Sequence, residues 1–303
     1  MLPFELTILG CSSATPTASR NPTAQVLNIH ERFFLLDCGE ATQIQIRRFK
    51  INIQRIDHIF ISHLHGDHYL GLPGLLGTMH LLGREKKLHI YSPPGLKEII
   101  DTNHFHSKTF LKYELVFHVI ENKATIFEDD KLTVDTIPMN HRIPCYGFLF
   151  REKRLPRNII KDKLVEFNIP VQEIQKLKEG NDFVSHDGTR ILNQELTTDP
   201  PPPRSYAYCS DTIYNESFIA QIQNINLLYH EATFADDMAV RAKETYHCTA
   251  KEAGTIAEKA NVQQLIIGHY SARYRELDVL LKEAKENFEN TVLALEGNTY
   301  KVG

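Results

Sequence analysis

The chain has few cysteines: five in 303 residues (Cys11, Cys38, Cys145, Cys209 and Cys248), odd in number, scattered and without a C-x-x-C pair. That pattern excludes a disulfide framework and reads as reduced thiols in a cytoplasmic protein. There is no surplus of positive charge either. With 34 Lys and Arg against 38 Asp and Glu the net charge is −4, so nothing pulls the whole molecule toward nucleic acid or an anionic membrane. Any polyanion would have to be held by a local patch. A long apolar run is missing, and Phe4 to Leu9 enters a strand-like stretch without a basic leader, so neither a secretory signal nor a membrane span is expected. What is present is 42% hydrophobic residues, enough to bury a sizeable core in one large domain or two ordinary ones.

Several short apolar or alternating runs stop at a residue able to bind metal. Arg32 to Leu36 leads to Asp37-Cys38-Gly39-Glu40, and His58 to Ile61 leads to His63. Leu132 to Met139 leads to Asn140-His141, and Ser205 to Cys209 leads to Ser210-Asp211. Ile225 to Tyr229 leads to His230-Glu231, and Leu265 to Gly268 leads to His269. Strand ends that recur with acid or histidine predict a sheet edge collecting a site from distant parts of the chain. Helices are expected at Ala41 to Phe49, at Pro94 to Asn103, from the Thr249-x-x-Glu252 capping box to about Lys259, and at Glu276 to Phe288. Short strands alternating with helices predict an α/β sandwich of two mixed sheets with helices outside. From Arg151 to Pro203 the chain turns polar and ends in four prolines, which predicts an insertion in a single domain spanning 1–303.

The densest chemistry is Ser62-His63-Leu64-His65-Gly66-Asp67-His68. His63 and His65 are two apart, so extended backbone points both to one side. Gly66, free at φ, would turn the chain and aim Asp67 and His68 elsewhere. One metal would take His63, His65 and a third histidine, the other Asp67, His68 and a further histidine, with a bridging carboxylate between them. His141, Asp211 and His269 are the strand-end candidates. Four such polar groups in one run are costly to desolvate without metal, whereas a lone strand-end histidine is usually just solvated or hydrogen-bonded. Nitrogen and carboxylate donors without thiolate suit zinc. Two such ions activate water for hydrolysis.

These residues resemble the ribonuclease Z family, the tRNA 3′-processing endonucleases of the metallo-β-lactamase superfamily. The resemblance runs through LGCSSATPTASRN (Leu9 to Asn21), DCGEATQ (Asp37 to Gln43) and SHLHGDHYLGLPGLL (Ser62 to Leu76). It continues in Asn140-His141, YCSDT (Tyr208 to Thr212), HEAT (His230 to Thr233), His247-Cys248-Thr249 and HYSARY (His269 to Tyr274). It implies a four-layered αβ/βα sandwich and two zinc ions per subunit, one on His63, His65 and His141, the other on Asp67, His68 and His269, with Asp211 bridging. It implies that Asp67 also orients the attacking hydroxide. Glu231 and His247 would form the pair that protonates the leaving 3′ oxygen, and the start of a capped helix fixes the backbone of His247. The implied substrate is precursor tRNA, cut 3′ of the discriminator base by a homodimer.

The insertion 151–203 is similar to the family's flexible tRNA-binding arm. Arg151, Lys153, Arg154, Arg157, Lys161 and Lys163 face only Glu152 and Asp162 in their window, so phosphate binding could be confined there. The resemblance also places Arg20 and Asn21 in the loop that in the family senses a mature CCA end. Two departures stand out. The arm reads Asn168-Ile169-Pro170-Val171-Gln172-Glu173 where relatives often carry a Gly-Pro element. The sensing loop reads Pro16-Thr17-Ala18-Ser19-Arg20-Asn21, with Ala18 where a basic residue is usual. The competing readings are a phosphodiesterase or esterase acting on a small substrate, a di-iron oxidoreductase, which would normally place glutamate at His65, and an RNA-binding module that has lost catalysis. The Ala18 departure predicts weaker rejection of CCA-ended tRNA than in an Ala18→Lys variant. Equal discrimination by the two purified proteins would contradict it.

Overall fold

In the computed structural model, which describes residues 2–303, the chain builds two seven-stranded sheets. In spatial order the first comprises Thr299–Lys301, Phe4–Gly10, Ala24–Ile29, Arg32–Leu36, Ile56–Phe60, Leu88–Ser92 and Leu115–Val119. Its first four strands pair antiparallel and the rest parallel. The second comprises Thr291–Leu293, Gln264–Gly268, Leu227–Glu231, Ser205–Cys209, Tyr146–Glu152, Leu132–Pro138 and Thr125–Glu128. Parallel pairing joins its first four strands. SYAYC and LLYHE are buried at every position, as strands covered on both faces require.

The sheets meet through aromatic side chains. Phe60 lies 5.3 Å from Phe148 and Phe34 lies 5.7 Å from Phe150, ring centroid to ring centroid, and the Tyr206 hydroxyl donates to Gln25 Oε1. Each of these fully buried rings contributes about 1.5–3 kcal/mol by leaving water. Helices Thr42–Arg48, Leu72–Leu81 and Leu96–Ser107 supply Ile46, Leu75, Met79, Leu96 and Ile100 to a core shared with Val26, Leu35, Ile59 and Ile90 of the first sheet. Ala250–Lys259 and Asp278–Asn287 pack on each other and on the second sheet. The result is the expected four-layered sandwich.

Register places the site. Cys209 lies beside His230 and Glu231 beside Gly268, so Asp211, Glu231 and His269 emerge on one edge. Leu36 pairs with Phe60, which sends Asp37 and Ser62-His63 out of the first sheet together. The strands at Arg32–Leu36 and Ser205–Cys209 match the sequence reading. The strand expected at Ile225 to Tyr229 instead runs Leu227–Glu231, because parallel pairing carries it to Glu231. The helix Leu72–Leu81 was masked in the sequence by Pro73 and Gly74, yet Pro73 falls in its first turn, where the missing N–H costs nothing.

Asp129–Leu132 and Arg151–Pro203 form a second compact unit. It has its own small core of Ile169, Leu177, Phe183, Ile191 and Leu196. Strand pairs Asn158–Ile159 with Thr197–Thr198 and Phe183–Val184 with Arg190–Ile191 frame the short helices Lys161–Glu166 and Ile174–Lys178. The basic window at its start is offset further on: residues 151–203 carry nine Lys and Arg against nine Asp and Glu.

A histidine row crosses the first sheet. His58 stacks on His89, ring centroids 5.1 Å apart, and on Phe34, while Phe127 meets it edge-on. Burial first, then the neighbouring His89, lowers its pKa to about 4. An unfolded histidine keeps its ordinary value near 6.5, so the unfolded chain binds the extra proton between those limits. The stability contributed by neutral His58 is present above about pH 6.5 and is lost as pH falls toward 4, by up to about 3 kcal/mol. We expect the Tm to drop more steeply over that interval in the native sequence than in His58→Phe. Equal slopes would contradict this.

Candidate metal centre

The site is assembled from short segments after strand ends. His63 and His65 leave Ile56–Phe60 on extended backbone, and the short helix Gly66–Tyr69 then lifts Asp67 and His68 to a second position. Gly66 does not use left-handed φ, contrary to the sequence reading. A side chain there would instead press on Leu70, its Cβ 2.7 Å from Cδ1. The turn is held by backbone: Cys38 N–H donates to the His68 carbonyl at 2.7 Å and Gly71 N–H to the Cys38 carbonyl at 2.9 Å. A Cβ on Gly71 would lie 2.0 Å from the Gly39 carbonyl oxygen, so no other residue fits there.

Two donor clusters share one carboxylate. In the first, His65 Nδ1 lies 3.0 Å from His63 Nε2 and 3.1 Å from His141 Nε2, with Asp211 Oδ2 3.5 Å from His63 Nε2. In the second, Asp67 Oδ2 is 3.4 Å from His68 Nε2 and 3.3 Å from His269 Nε2. Asp211 Oδ1 lies 3.5 Å from that His68 nitrogen and 3.2 Å from that of His269. The residues named as ligands from sequence, His63, His65, Asp67, His68, His141, Asp211 and His269, therefore converge. Donors about 2 Å from one small divalent ion would be spaced roughly 3.3 Å apart, which these distances match.

The outer ring of partners fixes which nitrogen points inward. His68 Nδ1 faces Asp37 Oδ2 at 2.7 Å and His141 Nδ1 faces the Tyr246 carbonyl at 3.0 Å. Both partners only accept, so both Nδ1 atoms carry the proton. Ser62 Oγ donates to Asp37 Oδ2 at 2.8 Å and so accepts from His63 Nδ1 at 3.0 Å. By the same logic Thr233 Oγ1 donates to Glu231 Oε2 at 2.7 Å and accepts from His269 Nδ1 at 3.0 Å. Four imidazoles are thus held at Nδ1 with Nε2 turned toward one small volume, the orientation in which a histidine ligates metal. Asp37 anchors this ring, also accepting from Ser62 N–H at 2.7 Å and the Tyr208 hydroxyl at 2.6 Å. Asp37 and His269 both adopt left-handed φ, 53° and 59°, a cost of order 1–3 kcal/mol each that the surrounding contacts sustain.

The cluster has the properties of a cation site. His68 Nε2 and Asp211 Oδ1 are fully buried with no hydrogen-bond partner. Burial pushes the His68 imidazole down, but Asp211, Asp67 and Asp37 around it outweigh that and hold it well above the ordinary range. Burial would raise the carboxyls of Asp67 and Asp211, yet the histidines hold both well below the usual carboxylate range. A bound divalent ion would satisfy the orphaned atoms and the negative field together.

Glu231 and His247 adjoin the clusters. Glu231 is fully buried and accepts from Thr212 N–H, Thr233 N–H and the Thr233 hydroxyl, while His247 Nδ1 lies 3.0 Å from its Oε1. Burial lowers the His247 pKa, but the Glu231 carboxylate reverses this and lifts it to about 9. The cleft, about 310 Å³, is lined by Ser13, Ala14, Glu40, His65, Asp67, Arg142, Asp211, His247 and His269. Ala14 N–H donates to Asp67 Oδ2 at 2.7 Å, bringing the loop that leads to Arg20 and Asn21 to its rim.

Several other sequence candidates have partners within the protein. Arg20 is only 9% exposed and its Nη2 donates to the Tyr274 carbonyl at 2.7 Å. Asn21 Nδ2 donates to Glu296 Oε2 at 2.8 Å. Both side chains help staple the loop in place. In the second unit Arg154 and Arg157 converge on Asp199, and Lys163 pairs with Glu166 at 2.7 Å. All five cysteines are buried and unpaired. Cys145 and Cys248 donate to the backbone carbonyls of Asp211 and Thr212, as small buried thiols and not ligands. Sequence reasoning missed Asp37 as an organiser and Arg142 as an exposed cation in the cleft, although Asp37 ends a strand and Arg142 follows His141 directly.

A sandwich of two mixed sheets, with H-x-H-x-D-H after a strand and a carboxylate shared between two histidine clusters, defines a metal-dependent hydrolase of metallo-β-lactamase fold. A family model described as Anti-Pycsar protein Apyc1 matches residues 4–187, which ends short of Asp211, Glu231, His247 and His269. Ribonuclease Z of Bacteroides fragilis is 50% identical over 97% of both chains, and that of Bacteroides thetaiotaomicron is 52% identical over 97% of this chain and 93% of its own. Among solved structures, the short form of human tRNase Z is 26% identical, with a TM-score of 0.72 over 99% of both chains. The metallo-β-lactamase fold protein YhfI from Bacillus subtilis, 20% identical, has a TM-score of 0.71 over 100% of each. The chain belongs to the ribonuclease Z family.

If Asp37 orients the inner histidines, Asp37→Asn should weaken metal retention about 10–100-fold, measured by competition for zinc against a chelator. Unchanged zinc affinity in the folded variant would contradict that role.

Proposed function

We propose that this chain is a cytoplasmic, zinc-dependent endoribonuclease that cuts precursor tRNA 3′ of the discriminator base. The products are a tRNA with a 3′-hydroxyl and a trailer with a 5′-phosphate. The observation that carries this reading is a carboxylate divided between two donor clusters, with a carboxylate-held imidazole beside it, in a chain that aligns along nearly its whole length with ribonucleases Z.

His63, His65 and His141 would hold one ion and Asp67, His68 and His269 the other, with Asp211 shared; nitrogen and oxygen donors without thiolate favour zinc. When bound, such a pair supplies Lewis-acid activation of a phosphodiester and a water acidic enough to attack near neutral pH. Asp67, steadied by Ala14 N–H, accepts a hydrogen bond from the incoming water and so aims its oxygen at phosphorus. As the P–O3′ bond breaks, His247 gives its Nε2 proton to the departing 3′ oxygen. Glu231 holds the imidazole from the other side and keeps it charged beforehand. Arg142, exposed in the cleft, would bind a phosphate oxygen next to the cut. Residues 151–203 would hold the tRNA at a distance, with Arg151, Lys153, Arg154, Arg157, Lys161 and Lys163 as phosphate contacts. A homodimer would let the arm of one subunit serve the cleft of its partner. Among the described residues no helix is long and apolar enough to cross a membrane.

Incubation with a 3′-extended precursor tRNA, with and without chelator, should map one chelator-sensitive cut directly after the discriminator. Activity on bis(p-nitrophenyl) phosphate alone would overturn the tRNA reading. His247→Ala should lower kcat on the tRNA about 100- to 10,000-fold. On the small ester, whose phenolate leaves without a proton, the loss should be less than about tenfold. Equal losses would remove His247 as the acid.

A further inference from the structure

A second cavity of about 410 Å³ shares His247 with the metal cleft. Besides His247 it is lined by Ile213, Tyr214, Ala239, Val240 and Lys243. Val240 is 76% exposed, a large apolar side chain left in water at the edge of a working site. Tyr214 is fixed as a platform: its hydroxyl donates to Glu216 Oε1 at 2.6 Å and accepts from Lys259 Nζ at 3.4 Å. Lys243 is exposed and forms no ion pair among the described residues. The remaining polar group in the wall, the Glu252 carboxylate, is already engaged by Thr249 N–H at 2.8 Å.

The cavity is built on the backbone that carries the chemistry. Ile213 and Tyr214 follow Asp211-Thr212, and Ile213 N–H donates to the Asn140 carbonyl at 2.9 Å, beside His141. Ala239, Val240 and Lys243 lie on the helix Ala239–Thr245, which ends at Tyr246, whose carbonyl holds His141. Anything seated here is placed against the same frame as the donor clusters.

We infer that this cavity receives the base of the nucleotide whose 3′ oxygen His247 protonates, the last nucleotide kept by the tRNA product. The inference rests on the proposed function above. An oxygen within reach of His247 brings its own nucleoside nearest to a cavity that His247 walls. A fixed phenol, a flat aliphatic surface and one unpaired cation suit a base and its phosphate: every base has a face to stack, and stacking does not depend on sequence. With its only carboxylate engaged, the wall reads no base edge. All four bases should therefore be accepted.

The test compares kcat/KM for a 3′-extended precursor tRNA carrying a normal or an abasic nucleotide at that position. It uses the native protein, Val240→Asp and, as a second variant, Tyr214→Leu. Loss of the base should cost the native enzyme about tenfold or more. Each substitution should slow the intact substrate by a similar factor while leaving the abasic one nearly unchanged, so that the ratio collapses toward one. A native enzyme indifferent to the missing base, or variants that slow both substrates equally, would overturn the subsite. Failure of the native protein to cut either tRNA while it hydrolyses bis(p-nitrophenyl) phosphate would instead show that the tRNA reading itself is wrong.

Discussion

The Asp211 carboxylate, fully buried and facing a different set of histidines with each oxygen, is the interaction on which the site depends. Oδ2 faces His63 and Oδ1 faces His68 and His269 at 3.2–3.5 Å. A buried carboxylate is expensive unless cations answer it, and the imidazoles around Asp211 turn their Nε2 atoms toward it. Bound metal would answer that cost. The same feature turns two ordinary histidine clusters into one centre, because neither could move without the other.

The two sheets cooperate to hold this arrangement. The second brings Asp211, Glu231 and His269 to one edge through parallel register, and the first sends out Asp37 and the histidine run. Asp37 joins them: it receives the Tyr208 hydroxyl from the second sheet and the Ser62 and His68 donors from the first. An aromatic layer fills the space between the sheets and leaves little room for adjustment. Strained backbone at Asp37 and His269 persists because several hydrogen bonds and close packing fix each residue at once.

Much of this was legible in the sequence where the signal was local. H-x-H-x-D-H packs four donors into six positions, and His141, Asp211 and His269 each interrupt an apolar run at a strand end. The sandwich class followed from the same runs. The outer ring was not legible, because its contacts join residues far apart: Ser62 and Asp37 are 25 positions apart, Thr233 and His269 36, and His141 and Tyr246 105. Charge counting in a short window exaggerated the basic character of the second unit, since Glu166 lies just beyond it and Asp199 at the far end of the insertion. The resemblance singles out Arg20 and Asn21 as substrate contacts, and folding also gives them internal partners, the Tyr274 carbonyl and the Glu296 carboxylate.

The central claim is that activity requires two ions held around one shared carboxylate. Elemental analysis of fully active, purified protein tests it most directly, with metal content set against chain concentration and specific activity. The account predicts two divalent ions per chain, and activity that falls as either is removed. Full activity with a single ion, or with none, would contradict it.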